Sequence, residues 1–402
     1  MKIIQINVVY KRGSTGNLVY SLHDQLTKKG YESIVLYGRG NCISEDNIFK
    51  IGPELLMKFQ SLESRLTGFA YAGCEISTEL LTKSILRIKP DIVHLHCLNG
   101  YFVNIYRLLN FLKDKKIPTV ITLHAEFMFT AGCSYSIDCQ KWITGCGNCP
   151  QFNKERPRSW FFDRSLVEWE MMKNAYQDYD LLTIVPVSKW LYKRAIKSPF
   201  FADKKIKVVL NGVDTKEVFK PQDYCTLVKK HNLGDEKIIL YVTPNFNSPI
   251  KGGKYVIQLA KRLIDYNIKF IIVGFNGDRK SLPKNVTPVE HLDNQIEIAR
   301  YYSLADLTLL TSERETFSMV CAESLSCGTP VVGFEAGAPE TIAIDQYSEF
   351  VKYGDIDSLE SAILKWLSLK GTVKKELAKE AKYYYSREKM FNEYEQIYLS
   401  SI

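Results

Sequence analysis

Short apolar runs, each closed by a polar or glycine-containing loop and followed by a helical pattern, recur along the whole chain. This alternation constrains the fold more than any other feature. Residues 3–9 form the first run, followed by the loop Lys11-Arg12-Gly13-Ser14-Thr15-Gly16 and a helix in which Leu18, Leu22 and Leu26 share one face. Gly30 predicts its end. Residues 34–37, 91–96 and 119–124 read as further core strands. After about residue 190 the grammar restarts, with strands at 206–210, 238–243 and 270–273 and a helix face of Val256, Leu259, Ala260 and Leu263. Residues 307–310 and 331–334 are strands flanking a short helix after Phe317 that Gly328 and Pro330 stop. Such alternation predicts mostly parallel sheets with helices on both faces, and the length accommodates two of them. The expected fold class is α/β, with two doubly wound Rossmann-like domains, 1–190 and 191–382, facing each other across a cleft. Residues 383–402 continue a helix-favouring stretch as a closing helix.

Hydrophobic content of 46% and charged content of 24% are those of a folded globular chain. No apolar run approaches the roughly 18–20 residues needed to span a bilayer. Residues 1–9 read as a strand without a signal-peptide cleavage site, so a cytoplasmic location is expected. The net charge of +8 comes from scattered Lys and Arg. No basic stripe or recognition motif accompanies it, which argues against a nucleic-acid partner. A diffuse positive field fits an anionic lipid surface or anionic substrates, or a merely soluble basic surface.

Ligands of doubly wound sheets gather at the carboxyl ends of strands, and the chemically informative residues lie at such ends. Glu315 falls in the loop after strand 307–310, and Glu323 one to two turns into the following helix. Phe317, Ser318 and Met319 form that helix entrance, whose N–H groups suit a diphosphate. Phosphate bracketed by two hydroxyl-binding carboxylates describes a sugar nucleotide. Lys251-Gly252-Gly253 opens another helix, where a lysine can neutralise phosphate. Gly13 and Gly16 let backbone approach a ligand closely, although a tight turn explains them equally well. His124 ends a core strand; His94 and His96, on a neighbouring one, rank lower. Cys133, Cys139, Cys146 and Cys149 form C-x5-C-x6-C-x2-C, compatible with a structural zinc site, two disulfides or four thiols.

The segment from Ser312 to Pro330 resembles the E-x7-E motif of retaining glycosyltransferases of the GT-B fold, family 4. The resemblance runs on through the Gly13–Gly16 loop, His124, the cysteine insert at 133–150, Val187-Ser188, Asn211-Gly212-Val213-Asp214 and Lys251-Gly252. It implies that Glu315 contacts donor-sugar hydroxyls, Glu323 the nucleotide ribose, Lys251 the donor phosphates and His124 the sugar beside the reacting carbon. It also implies a last helix that returns to the N-terminal domain. Three departures stand out. Thr316 replaces the usual Gly. Thr243, Pro244 and Asn245 stand where relatives carry an upstream Arg, so phosphate grip rests on Lys251, the helix amides and Asn245. Ala125 replaces an Asp, so that either Glu126 is an acceptor-side substitute or the mechanism does without that group. The insert, ending in Cys149-Pro150, is similar to one in a polysaccharide-biosynthesis branch of the family.

From this resemblance follow the expected activity and partners. The reaction is hexosyl transfer from a UDP- or GDP-sugar to a lipid-linked oligosaccharide of a bacterial surface polysaccharide, such as O-antigen or capsule. The enzyme would work peripherally on the inner face of the plasma membrane. Metal-dependent transferases place Asp-x-Asp just after an apolar strand, and neither Asp178-Tyr179-Asp180 nor Asp355-Ile356-Asp357 sits so, hence no catalytic metal is expected. A GT-B sugar-nucleotide epimerase and a non-catalytic sugar-nucleotide-binding protein share the architecture. Turnover without acceptor marks the first, and nucleotide binding without turnover the second.

Overall fold

A computed structural model of the chain describes residues 1–153, 159–369 and 374–402. It divides into two compact units, residues 1–210 with 390–402, and residues 211–389. The first holds seven strands: β1 (Lys2–Asn7), β2 (Glu32–Tyr37), β3 (Ile48–Lys50), β4 (Ile92–Leu95), β5 (Thr119–Leu123), β6 (Leu182–Pro186) and β7 (Lys205–Ile206). Their order is β3-β2-β1-β4-β5-β6-β7, and every pairing is parallel. The second holds six: β8 (Lys237–Val242), β9 (Ile268–Val273), β10 (Val286–Val289), β11 (Leu307–Leu310), β12 (Val331–Phe334) and β13 (Ser348–Val351). Their order is β10-β9-β8-β11-β12-β13, again all parallel. Both sheets reverse direction once, between β1 and β4 and between β8 and β11. A doubly wound sheet opens its ligand crevice at that switch point.

Central strands are buried throughout because both faces are covered: β4 and β5 are buried at every residue, the polar ones being His94, Thr119 and Thr122. The helix Gly13–Lys28 buries Leu18, Leu22 and Leu26, and Gly30 adopts a left-handed φ of 88° just past its end. The boundary between units lies at Leu210, later than residue 190, because β7 pairs with β6 and so extends the first sheet.

The closing segment is two helices, Lys374–Tyr385 and Arg387–Leu399. They part at Ser386, where Val213 donates its N–H to Tyr385 and accepts from Arg387. From Met390 onward the chain belongs to the first unit, as the resemblance implied. Met390, Phe391, Tyr394, Ile397 and Tyr398 share a core with Ile3, Leu18 and Leu22. Each such buried side chain contributes roughly 1.5–3 kcal/mol. Glu395 fixes the outer edge of this contact, bonding Lys29 at 2.9 Å and Tyr31 at 2.7 Å.

Candidate functional site

In the second unit the two loops at the switch point are laced together. After β8 the chain turns through Pro249–Lys251 into the helix Gly253–Arg262. Gly252, at φ 72°, lies so close to β11's end that a Cβ there would stand 2.0 Å from the Thr311 carbonyl oxygen. No other residue fits. Thr311 Oγ1 donates to the Lys251 and Gly252 carbonyls at 3.1 and 3.0 Å, and Tyr241 donates to the Lys251 carbonyl at 2.7 Å. With its backbone fixed on two sides, Lys251 brings its Nζ within 2.6 Å of Glu315 Oε1.

Glu315 is itself anchored through its backbone. Its N–H donates to Ala336 at 2.9 Å, and its carbonyl accepts from Ala338 at 3.2 Å. Beyond it, Phe317 is buried and Ser318 takes a left-handed φ of 79° to turn the chain into the helix Met319–Ser326. Ser318 Oγ accepts the Cys321 N–H at 3.3 Å, and the first turn carries no acidic side chain. The entrance therefore keeps its positive end unopposed by its own side chains. Glu323, on the same helix, accepts a hydrogen bond from Tyr302 at 3.1 Å. Burial raises its carboxyl to about 8, so in the free protein it holds its proton near neutral pH. Lys251 and Glu315 are thus brought into contact, while Glu323 faces Tyr302. Asn245 instead joins a cluster with the Asn247 N–H at 3.1 Å and the Asn276 amide at 2.9 Å.

In the first unit the loop after β1 carries Lys11 and Arg12, but the histidines beside the switch point are neutral. Gly13 opens its helix at φ 63°, inside the loop that the sequence pattern runs on to Gly16, and no side chain caps that entrance. Gly16 lies 3.2 Å from Val9 by its would-be Cβ, and its carbonyl accepts the Lys11 N–H. His124, just past β5, stacks on His96, just past β4: ring centres are 5.5 Å apart and Nε2 meets His96 Nδ1 at 3.2 Å. Burial lowers His124 to about 4 and keeps His94 and His96 well below the ordinary histidine value. One ring of the pair must carry the shared proton. His96 Nε2 is buried and finds no hydrogen-bond partner among the described residues. His94 links this cluster to the closing helix, through Nδ1 to Tyr398 and Nε2 to Thr122, both at 2.7 Å. Tyr394 reaches the same Thr122 hydroxyl at 2.7 Å. Two histidines spaced two apart on one strand face were the available signal for this network.

Glu126 is fully buried and engaged elsewhere than an acceptor-side base would be. Its carboxylate pairs with Arg194 and accepts the Ser136 N–H, so it clamps the insert to the helix Lys189–Ala195. Within the insert, Trp142 is buried against Phe129 and donates to the Cys139 carbonyl at 2.8 Å. Cys133, Cys139, Cys146 and Cys149 all line one cavity of about 10 Å³ beside it, room for roughly one water-sized occupant. The thiols are the donor type zinc prefers. Yet no set of three or more His, Cys, Asp or Glu among the described residues is arranged to hold an ion.

Two doubly wound, all-parallel units with these strand-end loops are the architecture of a GT-B glycosyltransferase. The structure superposes on sucrose-phosphate synthase from Thermosynechococcus elongatus with a TM-score of 0.70 at 16% identity, covering 100% of this chain and 98% of that one. It matches Anabaena Alr3699/HepE, solved in complex with UDP, with a TM-score of 0.67 at 15% identity over the full length of both. In sequence, the Glycosyltransferase Family 4 profile matches residues 15–217, and that of glycosyl transferases group 1 matches residues 226–386. The chain belongs to glycosyltransferase family 4. It is 21% identical to the Escherichia coli K12 protein WcaC, named for glycosyl transfer in colanic acid biosynthesis, over 99% of both chains.

Proposed function

We propose that this glycosyltransferase is a retaining hexosyltransferase that moves a sugar from a UDP- or GDP-sugar to a lipid-linked glycan of a bacterial surface polysaccharide. It would act at the cytoplasmic face of the membrane. Support for the nucleotide comes from HepE, a structural neighbour that binds UDP. Support for the pathway comes from the name of WcaC. The observation that carries the reading is the 2.6 Å pair between Lys251 and Glu315 at the switch point.

The pair stores a cation and an anion beside a helix entrance, where each has a different part of the donor to serve. An arriving diphosphate gives Lys251 a second anionic partner, and Glu315 becomes available to sugar hydroxyls. Charge growing on the departing diphosphate is met by Lys251 and by the first turn of the helix Met319–Ser326, electrostatic stabilisation fixed in place before reaction. Glu323 and Tyr302 offer hydrogen bonds to the ribose. A neutral His124 can position the sugar but brings no charge of its own. The acceptor would attack the face that the diphosphate leaves, with the leaving phosphate taking its proton. Asn245, Gly13 and Gly16 complete the proposed donor contacts.

A thermal-shift screen of UDP-, GDP- and ADP-sugars tests the donor half directly. One nucleotide class is expected to raise the melting temperature in the wild type and to do so far less in Lys251→Ala. No shift with any of them would sink the site.

A further inference from the structure

The helix Glu54–Thr67 is turned inside out. Its buried residues include Gln60 and Ser64, whose polar atoms are satisfied by Ser77 and by the Phe69 carbonyl. Leu55, Phe59, Leu62 and Leu66 recur at spacings of four, three and four, which places them on one helix face. That face is open: their exposures are 78%, 67%, 42% and 43%. A leucine stripe at this spacing normally marks the side turned to the core. Here the core side holds Met57 with the polar Gln60 and Ser64, and the leucine and phenylalanine stripe faces outward.

Three further aromatics extend it. Trp160, Phe161 and Phe162 are exposed by 53%, 65% and 48%, and the Trp160 N–H donates to the Arg65 carbonyl at 2.8 Å, which seats them at this helix's C-terminal end. Cations border the apolar surface. Lys58 and Arg65, both exposed, flank one side of the stripe, and the Arg164 guanidinium lies 5.0 Å over the Phe162 ring. On the next helix, Glu75–Ile88, exposed Ile76 and Leu80 are followed at the same spacing by exposed Lys83 and Arg87. Glu63 borders the stripe's other side, and Glu79 is paired with Lys83 at 2.7 Å.

We infer that this face docks on the headgroup–acyl boundary of a bilayer rich in anionic phospholipid. Leucine and phenylalanine would enter the boundary, Trp160 would sit at headgroup level, and the flanking cations would meet lipid phosphates. Aromatic side chains next to a basic border match that chemistry. A second copy of this chain fits less well. The stripe covers only four residues, short of the three to four heptads that sustain a coiled coil, and the aromatic loop stands at its end. No helix among the described residues is long and apolar enough to cross a membrane, so the contact is one of the surface. The inference rests on the lipid-linked acceptor proposed above for its purpose, and on the geometry of this helix for its evidence.

The test is flotation of the full chain with vesicles of phosphatidylcholine alone or with phosphatidylglycerol. The wild type is expected to float with the anionic vesicles, less so at high salt. Phe59→Ser and Trp160→Ala are each expected to weaken that binding by about tenfold or more, as loss of one inserted apolar side chain implies. Their melting temperatures and donor-induced thermal shifts should stay at wild-type values. Absence of wild-type binding, or unchanged binding by the variants, overturns the inference. So does a wild-type dimer in light scattering that Phe59→Ser converts to monomer, since the face is then a contact between copies. If vesicles bind but no lipid-linked acceptor is glycosylated, the surface stands and the acceptor reading fails.

Discussion

The two switch points handle charge in opposite ways. In the first unit, the buried His94 and His96 and the half-buried His124 are held neutral, linked to one another and to Tyr398 of the closing helix. In the second, a lysine and a glutamate face each other at 2.6 Å, while the half-buried Glu323 carboxyl, raised to about 8, keeps its proton. Neutral, rigid groups suit orientation of a sugar, whereas paired charges that can change partners suit a diphosphate that arrives and departs. Burial produces both outcomes: it disfavours the charged form, which strips a proton from histidine and leaves one on Glu323.

The largest expected effect comes from breaking the neutral side. His124→Ala should lower kcat by about a hundredfold, the scale of losing one preorganised contact made in the transition state. Donor affinity should change little. A raised KM at unchanged kcat would place His124 in substrate binding alone.

On the charged side, Lys251→Ala should cost ~1.5–3 kcal/mol of affinity for the nucleoside diphosphate, the range of hydrogen bonds to charged groups. Glu315→Gln sharpens the contrast, because it releases Lys251 from its partner. Free nucleoside diphosphate should bind that variant at least as well as the wild type while sugar transfer falls. Calorimetry giving wild-type affinity in Lys251→Ala, or weakened diphosphate binding in Glu315→Gln, would break the assigned roles.

A smaller effect separates the units by pH. Glu323 binds its proton more tightly folded than unfolded, with a carboxyl raised from 4.5 to about 8. Its contribution to stability is complete below about pH 4.5 and is lost as pH rises through about 8. His124 is lowered from 6.5 to about 4, so its contribution is complete above pH 6.5 and is lost as pH falls through about 4. Melting temperatures of Glu323→Gln against wild type should therefore diverge in the variant's favour as pH climbs from 5 to 8. The reverse trend would mean that Glu323 is stabilised as a carboxylate.

The smallest effect on the donor belongs to the cysteine insert. Its four thiols line one cavity without being arranged to hold an ion, and we propose that they draw together around one structural zinc. Protein purified without chelator should carry one zinc per chain by elemental analysis. Cys146→Ser should lower the melting temperature and leave donor affinity unchanged, because metal-binding energy at such a site is folding energy. A stably folded, zinc-free sample reduces the insert to thiols gathered beside Trp142.

Strands with continuous apolar runs, such as β1, β5, β8 and β11, were legible because burial on both faces writes them plainly. Edge strands were not. β3 has three residues, β13 is only half-buried, and β10 contains Pro288, tolerated because it lies at the sheet's border. The candidate site was legible as a set of strand ends but not as a set of contacts. Lys251 and Glu315 are 64 residues apart and meet only through Gly252's close approach to Thr311. Glu126 could be read as an acceptor-side substitute because nothing local announces Arg194, 68 positions away. The helix Glu54–Thr67 carries Leu55, Phe59, Leu62 and Leu66 at core spacing, and only their exposure shows that this face is open.

In the proposed reaction the diphosphate leaves from the Lys251 side and the acceptor attacks the face it vacates. NMR of the first-formed product against the donor anomer, with EDTA present throughout, tests this most directly. Retained configuration at undiminished rate is the predicted result. An inverted product, or activity abolished by EDTA and restored by magnesium or manganese, would contradict it.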